Sequence, residues 1–558
     1  MKTKIYSIAL CLSIIVLSNL TSFCQAPDWQ WAKSAGGVDN AFSGGIAVDA
    51  YGNSYITGHF EGPSITFGSI TLTNAKASTY DTFIVKYDES GNVKWAKRIG
   101  GTYNDLGFNI TIDAKGNPCI TGNFFSHHLF LGGTTLTNTN PGSPDIFIIK
   151  YDTSGNVLWA KSAGGTDYDF GSSIAAGANG NLYVTGSFIS DSIHFDSITL
   201  VNANAPMADV FIARYDSSGN VAWAKRAGGN GGEGSACIAV DTNDNLYIIG
   251  SFNNDSLIFG NDTLISMNNF GDIFVAKYDA FGNALWAKKA GNNNKNNSGN
   301  SIAADANGNS YVTGFFQSDT ITFDSDTLIN INTNADIFLV KYDNSGNVVW
   351  AKSAGGTAYD IARSTKTDAN GDVYITGDFT SDTINFGSIT LINTTGVNQY
   401  IDIYVAKYDS SGNELWAKRA GGTNFDYGRC IALDSIQNVY ITGIFNSDSL
   451  TFGSTQLTKL SGVNYNIFIT KLDNVTGFTE LSPSNPISIF PNPTTSQISI
   501  TYSKTIDEIT ITNPLGQIIY HAKPYDKHIS LRVNDDGIYF VTVTSANKTA
   551  TGKVIVQR

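Results

Sequence analysis

The tripeptide Trp-Ala-Lys occurs seven times in this chain of 558 residues, and its spacing constrains the fold more than any other feature. Successive copies are separated by 64, 64, 64, 63, 64 and 66 residues. A fixed period of this length indicates that one structural unit is repeated along most of the chain. The copies begin at Trp31, Trp95, Trp159, Trp223, Trp286, Trp350 and Trp416.

Each repeated unit contains four short runs in which apolar and polar residues alternate. In the unit after Trp95 these runs lie near 110–112, 119–124, 145–152 and 157–161, separated by Gly-rich loops and Asp-x-x-Gly-Asn turns. Such runs, rich in Ile, Val, Phe, Tyr and Thr, predict antiparallel strands, and no stretch has a sustained helical period. Four short antiparallel strands per unit, repeated radially, predict a β-propeller.

The two ends of the repeat region predict a closed ring. Inner-strand and third-strand segments each occur seven times, but Trp-Ala-Lys is missing after Lys471. An equivalent outer strand stands before the first unit, at 29–33. We therefore expect an all-β fold, a seven-bladed β-propeller closed by its N-terminal outer strand, which leaves neither end with an unpaired edge.

Three recurring motifs resemble those of the bacterial seven-bladed β-propeller repeat proteins, called SBBP repeats. The motifs are Asp-x-x-Gly-Asn-x-Tyr-x-Thr-Gly-x-Phe, Asp-x-Phe-x-x-Lys-Tyr-Asp-x-x-Gly-Asn and Trp-Ala-Lys-x-x-Gly-Gly. The resemblance covers roughly residues 29–473. It implies a propeller, and the family has no common catalytic activity to carry over.

The repeat ends near residue 474, and the C-terminal segment follows a different pattern. About seven alternating segments in the last 72 residues predict a small Ig-like β-sandwich. Pro-Asn-Pro at 491–493, Asp-Gly-Ile-Tyr and the terminal Lys-Val-Ile-Val resemble the type A sorting domain of type IX secretion. The resemblance implies that residues 487–558 engage the type IX machinery and that the protein is secreted or displayed on the outer cell surface. An ordinary accessory sandwich is the alternative.

The first residues predict an export signal. Lys2 and Lys4 precede a short apolar run that ends in small polar residues, and cleavage after Cys24 fits best. A lipoprotein with an acylated Cys24 is the alternative, which the bulky Phe23 disfavours. The apolar run is shorter than the ~20 residues of a membrane span, and no later stretch qualifies. The predicted division is a signal peptide at 1–24, a propeller at 25–473, a linker at 474–486 and a sorting domain at 487–558.

Charge and cysteine content exclude several classes of protein. The net charge is −13, and it becomes −15 once Lys2 and Lys4 leave with the signal peptide. An acidic chain without a basic stripe would be repelled by phosphate backbones, so we expect no nucleic-acid partner. Cys119, Cys237 and Cys430 then remain, in different units, which is no disulfide framework. We expect small buried side chains at these positions.

Two repeated features have a structural explanation that competes with a functional one. Exposed tryptophans can stack on sugars, but an aromatic residue that recurs once per blade is predicted to pack between neighbouring blades. The Asp-x-x-Gly-Asn turns could be mistaken for calcium loops, which need several converging oxygen ligands. One Asp bonding to the backbone of its own turn explains them more simply. We therefore predict no metal and no cofactor.

A candidate site lies ten residues after each repeat Trp, in the loop from an outer strand to the next inner strand. Five carboxylates there, beside the central channel, would form a negative funnel for a cation or a cationic partner. The alternative is a local role, in which a short carboxylate accepts N–H bonds from a Gly-Gly loop, and repetition in every blade favours it. The seven positions hold Ala41, Asp105, Asp169, Glu233, Asn296, Asp360 and Asp426.

The segment after each second strand is long enough to form an extra hairpin. In a four-strand meander this segment and the acidic loop emerge on the same face, which is where we expect any ligand to bind. The leading hypothesis is a non-catalytic, secreted or cell-surface propeller that binds glycan or protein. The alternatives are a purely structural surface protein and a polysaccharide hydrolase or lyase. The hydrolase would use carboxylates such as Asp105, Asp169, Asp360 and Asp426 as acid and base.

The sequence offers the enzyme hypothesis little else. It has no Gly-x-Ser-x-Gly elbow, phosphate loop or dinucleotide fingerprint. The propeller holds four histidines without metal-binding spacing, and the adjacent pair is expected on opposite sides of a strand. They are His59, His127, His128 and His194.

Overall fold

The structure, a computed structural model, describes residues 27–253, 255–266, 271–291, 295–330, 332, 334–395, 399–460, 465–474, 487–490, 494–513, 517–533, 535–545 and 548–556. Every regular element in these ranges is a β-strand. Within the same ranges, no helix combines the length and apolar character that a membrane span requires. The chain divides into two compact units, Met1–Asn474 and Val475–Arg558. The predicted signal peptide, and the predicted linker after Asn474, lie outside the described residues.

The first unit contains seven antiparallel sheets with four strands in common, numbered here 1 to 7 in the order of their first strands, and in sheets 3 and 7 a hairpin adds two further strands. Within each sheet the order is first, second, third and fourth strand. The first strands are Ala41–Val48, Asp105–Ile112, Asp169–Ala176, Glu233–Val240, Asn297–Ala304, Asp360–Thr367 and Asp426–Leu433. The second strands are Ser54–Phe60, Pro118–Phe124, Leu182–Phe188, Leu246–Phe252, Ser310–Phe316, Val373–Phe379 and Val439–Phe445.

The third and fourth strands complete each sheet and are joined by the Asp-x-x-Gly-Asn turns. The third strands are Asp81–Tyr87, Asp145–Tyr151, Asp209–Tyr215, Asp272–Tyr278, Asp336–Tyr342, Asp402–Tyr408 and Asn466–Leu472. The fourth strands of sheets 1 to 6 are Val93–Ile99, Val157–Ala163, Val221–Gly229, Ala284–Ala290, Val348–Ala354 and Glu414–Ala420. The fourth strand of sheet 7 is the N-terminal strand, Trp29–Gly37.

A two-stranded hairpin follows every second strand, as the sequence predicts. Its first strand reaches back to the end of the fourth strand of the preceding sheet, for example through the pairing of Gly228 with Ile258. The hairpins are Ser64–Phe67 with Ile70–Thr73, His128–Leu131 with Thr134–Thr137, Ser192–Phe195 with Ile198–Val201, Asp255–Phe259 with Asp262–Ser266, Thr320–Phe323 with Asp326–Ile329, Thr383–Phe386 with Ile389–Ile392, and Ser449–Phe452 with Thr455–Thr458.

This close approach explains the Gly-Gly pair that follows six of the seven Trp-Ala-Lys copies. A Cβ atom on Gly228 would lie 2.1 Å from the Oδ1 atom of Asp209, and one on Gly229 would lie 1.6 Å from the carbonyl oxygen of Ser256. Since these distances exclude any side chain, the glycine pair lets the fourth strand pass between the third strand of its own sheet and the next hairpin.

The repeat tryptophans lie between neighbouring sheets, which confirms the packing role. Trp159 donates its indole N–H to the carbonyl oxygen of Ser217, in a turn of the next sheet, at 3.2 Å. A Cβ atom on Gly219 of that turn would lie 2.7 Å from the indole, so the turn rests directly on the ring. The same bond, at 3.1 or 3.2 Å, is made by Trp31, Trp95, Trp223, Trp286 and Trp350.

The Asp-x-x-Gly-Asn turns have the predicted backbone chemistry. The carboxylate of Asp88 accepts hydrogen bonds from the backbone N–H groups of Ser90 and Asn92, at 3.1 and 2.8 Å. Gly91 adopts a φ of 77°, in the left-handed region that favours glycine. The oxygen atoms of Asp88 therefore stabilise their own turn.

The predicted pairing of the N-terminal strand with the last unit is confirmed. Trp31 pairs with Lys471, and Thr470 donates its hydroxyl to the carbonyl oxygen of Trp31 at 2.9 Å. Sheet 7 also contacts sheet 1, because Tyr440 donates its hydroxyl to the carbonyl oxygen of Gly52 at 3.3 Å. The N-terminal strand therefore belongs to the sheet formed by the C-terminal end of the repeat region.

Polar side chains connect neighbouring first strands next to their shared axis. The backbone N–H of Ile238 donates to the hydroxyl of Ser173 at 3.3 Å, and the N–H of Ile431 does the same to Ser364. Cys237 and Cys430 occupy the equivalent position and are only partly buried, whereas Cys119 is fully buried. All three are unpaired thiols, as the sequence predicts, and Cys237 and Cys430 lie at the border between this polar layer and the apolar cores.

The second unit contains two antiparallel sheets that share one apolar core. One sheet has three strands and the other four, and Ile498, Ile509 and Val541 are among the core residues. Alternation of apolar and polar residues fits strands with one face buried and one exposed. The strands are Ser488–Phe490, Gln497–Ile506, Glu508–Thr512, Ile518–Ala522, Asp526–Arg532, Gly537–Ser545 and Lys548–Val556.

We predict that replacing Trp286 by alanine lowers the free energy of unfolding by about 3–5 kcal/mol. The indole is buried, bonds to the carbonyl oxygen of Asn344 at 3.2 Å and packs against Tyr247 and Tyr342. The control is Leu285→Ala at the adjacent, 52% exposed residue, which should cost no more than about 0.5 kcal/mol. Urea unfolding followed by circular dichroism measures both. Equal effects of the two substitutions would contradict the packing role.

Candidate functional site

The five acidic residues of the predicted ring lie at the first position of first strands, where they are buried. The carboxylate of Asp105 accepts hydrogen bonds from the backbone N–H of Gly101 at 2.7 Å and from the hydroxyl of Ser126 at 2.7 Å. Gly101 belongs to the loop that enters the sheet, and Ser126 follows the second strand. The carboxylate therefore holds these two segments together at the start of the first strand.

Most other sheets repeat this arrangement. Asp169 bonds to Gly165 and Ser190, Asp360 to Ser381, and Asp426 to Ser447.

In sheet 5 the equivalent residue is Asn297, and the assignment of Asn296 to this position was wrong. Asn297 accepts the hydroxyl hydrogen bond of Ser318 at 3.0 Å, whereas Asn296 precedes the strand. The reason is that the loop from Trp286 to this first strand is one residue longer than in the other sheets. In sheet 1 the buried Ala41 takes the position, so no carboxylate stands there.

Burial makes these carboxyl groups weaker acids. It raises the pKa of Asp105, Asp169, Asp360 and Asp426 to about 7, although hydrogen bonds from their own loops act in the opposite direction. Burial, together with the nearby carboxylate of Asp209, raises the pKa of Glu233 to about 8. Because the four aspartates bond to their own loops rather than facing solvent, their geometry supports the local role instead of a solvent-facing negative funnel. Glu233 is also buried, but neither of its carboxylate oxygens has a hydrogen-bond partner among the described residues.

A different repeated position faces the centre. Every first strand has a β-bulge at its fourth residue, where the register with the second strand shifts. All seven bulged residues line one central cavity of about 380 Å³, the channel cavity. The acidic position is nearly uniform, but the bulged position differs from sheet to sheet. In order from sheet 1 its residues are Gly44, Phe108, Ser172, Ala236, Asn300, Arg363 and Arg429.

The charged residues of the channel cavity all carry positive charge. They are Arg363 and Lys366 of sheet 6 and Arg429 of sheet 7, and no Asp or Glu belongs to the lining. This is unexpected for a chain whose net charge is −13. The centre therefore has the opposite charge to the protein as a whole.

A second cavity, of about 430 Å³, overlaps the channel cavity at the two arginines. We call it the arginine cavity. Its lining likewise contains no acidic residue. The lining residues are Phe42, Ser43, Gly44, His59, Phe108, Asn300, Arg363 and Arg429.

The two arginines differ in their partners. Arg363 forms a two-point ion pair with Asp378, through its Nε atom and through Nη2, which lies 3.2 Å from Oδ2. Partial burial opposes the charge of Arg363, but Asp378 outweighs it and raises the pKa of the guanidinium. Arg363 therefore already has a counter-ion.

Arg429 has no ion pair and no hydrogen bond with any residue in the described part of the chain. Its guanidinium carbon lies 5.3 Å from the centre of the Tyr427 ring, and that of Arg363 lies 5.9 Å from the same ring. Burial and the charge of Arg363 lower the pKa of Arg429. Arg429 thus has no direct counter-ion among the described residues, although the charge of Asp378 acts in its favour. A cation without a direct counter-ion next to a cavity favours an anion as its partner.

Aromatic rings of sheets 7 and 1 surround this end of the centre, and the ring centre of Phe108 on sheet 2 lies 6.3 Å from that of His59. The aromatic cluster comprises Phe42, His59, Tyr80, Tyr427 and Tyr465. The Phe42 ring centre lies 5.4 Å from His59, 6.1 Å from Tyr80 and 5.9 Å from Tyr465, and Tyr465 lies 6.2 Å from Tyr427. All five residues are partly exposed. Burial lowers the pKa of His59 to about 4, so the imidazole is neutral at neutral pH and the cluster adds no charge there.

Neither arginine was singled out from the sequence, although the signal is present in it. Arg363 and Arg429 stand three residues after Asp360 and Asp426, where the other repeats have small, amide or aromatic residues. Candidate site residues were chosen because they recur in the repeats, whereas the residue at the position of these two arginines varies from repeat to repeat.

The prediction that His127 and His128 lie on opposite sides of a strand was also wrong. Their ring centres are 4.0 Å apart. The physical reason is that the strand begins only at His128, so the alternation of a strand does not apply to His127. The residues that the structure describes contain no group of three or more His, Cys, Asp or Glu side chains that could hold a metal ion.

Comparisons with known proteins match both parts of the chain. Residues 488–557 match the family model described as a secretion system C-terminal sorting domain, and residues 285–314 match that of a beta-propeller repeat. An uncharacterized WD repeat-containing protein of Acanthamoeba polyphaga mimivirus is 26% identical over 463 residues, 68% of this chain and 33% of that protein. Regulatory protein FlaEY of Caulobacter vibrioides is 32% identical over 126 residues, 22% of this chain and 13% of that protein.

The chain thus spans a third or less of the length of the curated relatives it matches. Among solved structures, the WD40 domain of Neurospora crassa Pan2 is similar at 10% identity and a TM-score of 0.36. This similarity covers 80% of this chain and 98% of that domain.

We predict that the first unit is more stable at mildly acidic than at alkaline pH. Folding raises the pKa of the buried carboxyls of Asp105, Asp169, Asp360 and Asp426 from 3.8 to about 7. The folded state therefore binds more protons between about pH 4 and pH 7, and this contribution is lost as the pH rises through 7. The midpoint of thermal unfolding should be several degrees higher at pH 5.5 than at pH 8.5.

Asp426→Asn isolates one of these groups. Asparagine occupies the same position in sheet 5, so the substitution keeps the acceptor oxygen while removing the titration. The substitution should reduce the decrease of the free energy of unfolding with rising pH by up to about 1.4 kcal/mol per pH unit. Asp448→Asn, at a side chain that is 97% exposed, is the control and should leave the slope unchanged. Stability that rises with pH across this range would contradict the prediction.

Proposed function

Taking the chain as a β-propeller repeat protein that carries a C-terminal sorting domain of type IX secretion, we propose that it is a non-catalytic binding module of the cell exterior. Its sorting domain directs export through the type IX system to the cell surface or the extracellular space. In our proposal the seven sheets are the blades of one closed propeller. The ligand, a glycan or a protein, binds on the edge that carries the hairpins, around the arginine cavity.

The proposed domains follow the sequence prediction. They are a signal peptide at 1–24, a propeller at 25–473, a linker at 474–486 and an Ig-like sorting domain at 487–558, which interacts with the secretion machinery. Support for a closed ring comes from the contact of sheet 7 with sheet 1 and from the N-terminal strand in sheet 7. The division after Asn474 into two compact units supports the boundary of the propeller.

We infer the binding function from one observation: the residue type at the bulged position is not repeated from sheet to sheet. Where a side chain serves only the fold, the seven sheets use the same residue type, as at the repeat tryptophan. At the bulge they use six different residue types, and the one type that occurs twice, arginine, stands on the adjacent sheets 6 and 7. Selection for stability alone offers no reason to place two cations side by side.

The alternatives have less support. A hydrolase acting through Asp105, Asp169, Asp360 and Asp426 would need these carboxylates in a cavity, but they are buried against their own loops. Neither central cavity has an acidic residue in its lining. A purely structural role does not account for a bulged position that differs from sheet to sheet. We therefore assign the five acidic residues to the support of the loops below the binding edge.

We expect Phe108→Ala to weaken binding of the full-length chain to its ligand at least tenfold on a combined array of extracellular glycans and surface proteins. Phe108 lines both central cavities. The control is Phe281→Ala, at a 74% exposed aromatic residue in a turn between third and fourth strands. If the control variant loses binding, or if both variants bind like the wild type, the ligand binds elsewhere. A wild-type chain that binds nothing on the array would contradict the proposed function.

We predict that a chain ending at Asn474 accumulates in the periplasm instead of reaching the medium or the cell surface. The second unit, which begins at Val475, contains the matched sorting domain and has its own apolar core. Its removal leaves the contacts within the first unit in place. Immunoblots of periplasmic, surface and culture fractions measure the distribution. Normal export of the truncated chain would contradict this role of residues 487–558.

A further inference from the structure

The chemistry of the arginine cavity identifies a class of ligand, an inference that rests on the proposed function and makes it more specific. We propose that this cavity binds the carboxylate of an acidic sugar, a uronate residue of an extracellular glycan, and that Arg429 is its main anchor. The argument has three parts: the missing counter-charge, the shape and chemistry of the walls, and the division of roles between the two arginines.

The missing counter-charge is at Arg429. No carboxylate lines the arginine cavity, and Arg429 pairs with no described residue. The five N–H donors of a guanidinium match the two oxygen atoms of a carboxylate in a planar, two-point geometry. A ligand carboxylate would therefore supply both the negative charge and the hydrogen-bond acceptors that the protein does not provide.

The two arginines divide their roles. Asp378 holds the Nε and Nη2 atoms of Arg363, which fixes that guanidinium and neutralises its charge. Both guanidinium groups lie within 6 Å of the Tyr427 ring, so this ring orients them together. Arg363 is thereby a positioning residue, while Arg429 keeps its donors for the ligand.

The walls favour an organic anion with an apolar face over a bare inorganic ion. Phe42 and Phe108 present aromatic surface to the cavity, and Asn300 presents an amide. A pyranose ring has C–H groups on its faces and hydroxyl groups at its edge, which suits aromatic and amide walls respectively. The volume of about 430 Å³ lies in the range of roughly 300–1,000 Å³ typical of small-molecule sites. A phosphate or acetate ion would leave most of it unfilled.

Isothermal titration of the full-length chain tests the inference, with glucuronate, galacturonate, glucose, inorganic phosphate, acetate and the peptide N-acetyl-Ala-Ala as probes. At least one uronate should bind, and glucose should bind at least tenfold more weakly. Arg429→Gln should weaken uronate binding about 10- to 100-fold, since it removes a charged hydrogen-bond partner. Arg429→Lys should retain part of the affinity. Lys94→Gln, which removes one exposed positive charge from a fourth strand, should have no effect.

The thermal midpoint separates a binding effect from a folding effect. Because Arg429 has no hydrogen bond or ion pair to lose among the described residues, and only its contact with the Tyr427 ring, Arg429→Gln should unfold close to the wild-type temperature. A clear drop in the midpoint would mean that Arg429 supports the fold, and it would overturn the anchoring role.

Several results would overturn the inference while leaving the proposed function intact. Equal affinity for glucose and glucuronate would remove the role of the carboxylate. Affinity for phosphate or acetate equal to that for the uronates would remove the role of the sugar. Tighter binding of N-acetyl-Ala-Ala would identify a peptide C-terminus instead. Failure of every probe would also overturn the inference, whereas a neutral glycan or a protein detected on the array would still support the binding function.

Discussion

The pairing of Trp29–Gly37 with Asn466–Leu472 is the interaction on which the rest of the first unit depends. Without it the third strand of sheet 7 would expose a row of unpaired backbone groups, and the turn that contains Gly91 would lose Trp31 beneath it. Each other sheet obtains its fourth strand from the next stretch of chain. Sheet 7 obtains it from the opposite end of the repeat region, so its contacts with sheet 1 depend on two distant segments meeting.

Most of this architecture could be predicted from the sequence because it is repeated. The spacing of Trp-Ala-Lys predicts the repeated unit. The absence of the motif after Lys471 predicts that the N-terminal strand completes the last sheet. The long segment after each second strand predicts the hairpin. Because seven copies of each strand carry the same pattern, a copy whose secondary structure is ambiguous can be assigned from the others. The roles of the tryptophan, the turn Asp and the Gly-Gly pair follow for the same reason, since each makes the same contact in most sheets.

The candidate site could be predicted only in part, because it depends on differences between the sheets. The sequence prediction placed the acidic position in the loop before each first strand, whereas its residues begin those strands. Their burial follows from loops that fold over them, which spacing does not reveal. The bulge that turns Arg363 and Arg429 toward the centre is invisible in a pattern of alternating residues. Arg363 and Asp378 lie on different strands, so their pairing requires the register between the first and second strands.

The position of the N-terminal strand in sheet 7 also has a consequence for the order in which the sheets form. Trp31 and its partner Thr470 are 439 positions apart in the chain. A ribosome that adds ~5–20 residues per second needs tens of seconds to cover that distance. During this time the first strand to be synthesised has no partner, and its Trp-Ala-Lys sequence matches six later segments that could take its place. Completion of sheet 7 therefore waits until all the intervening sheets have been translated.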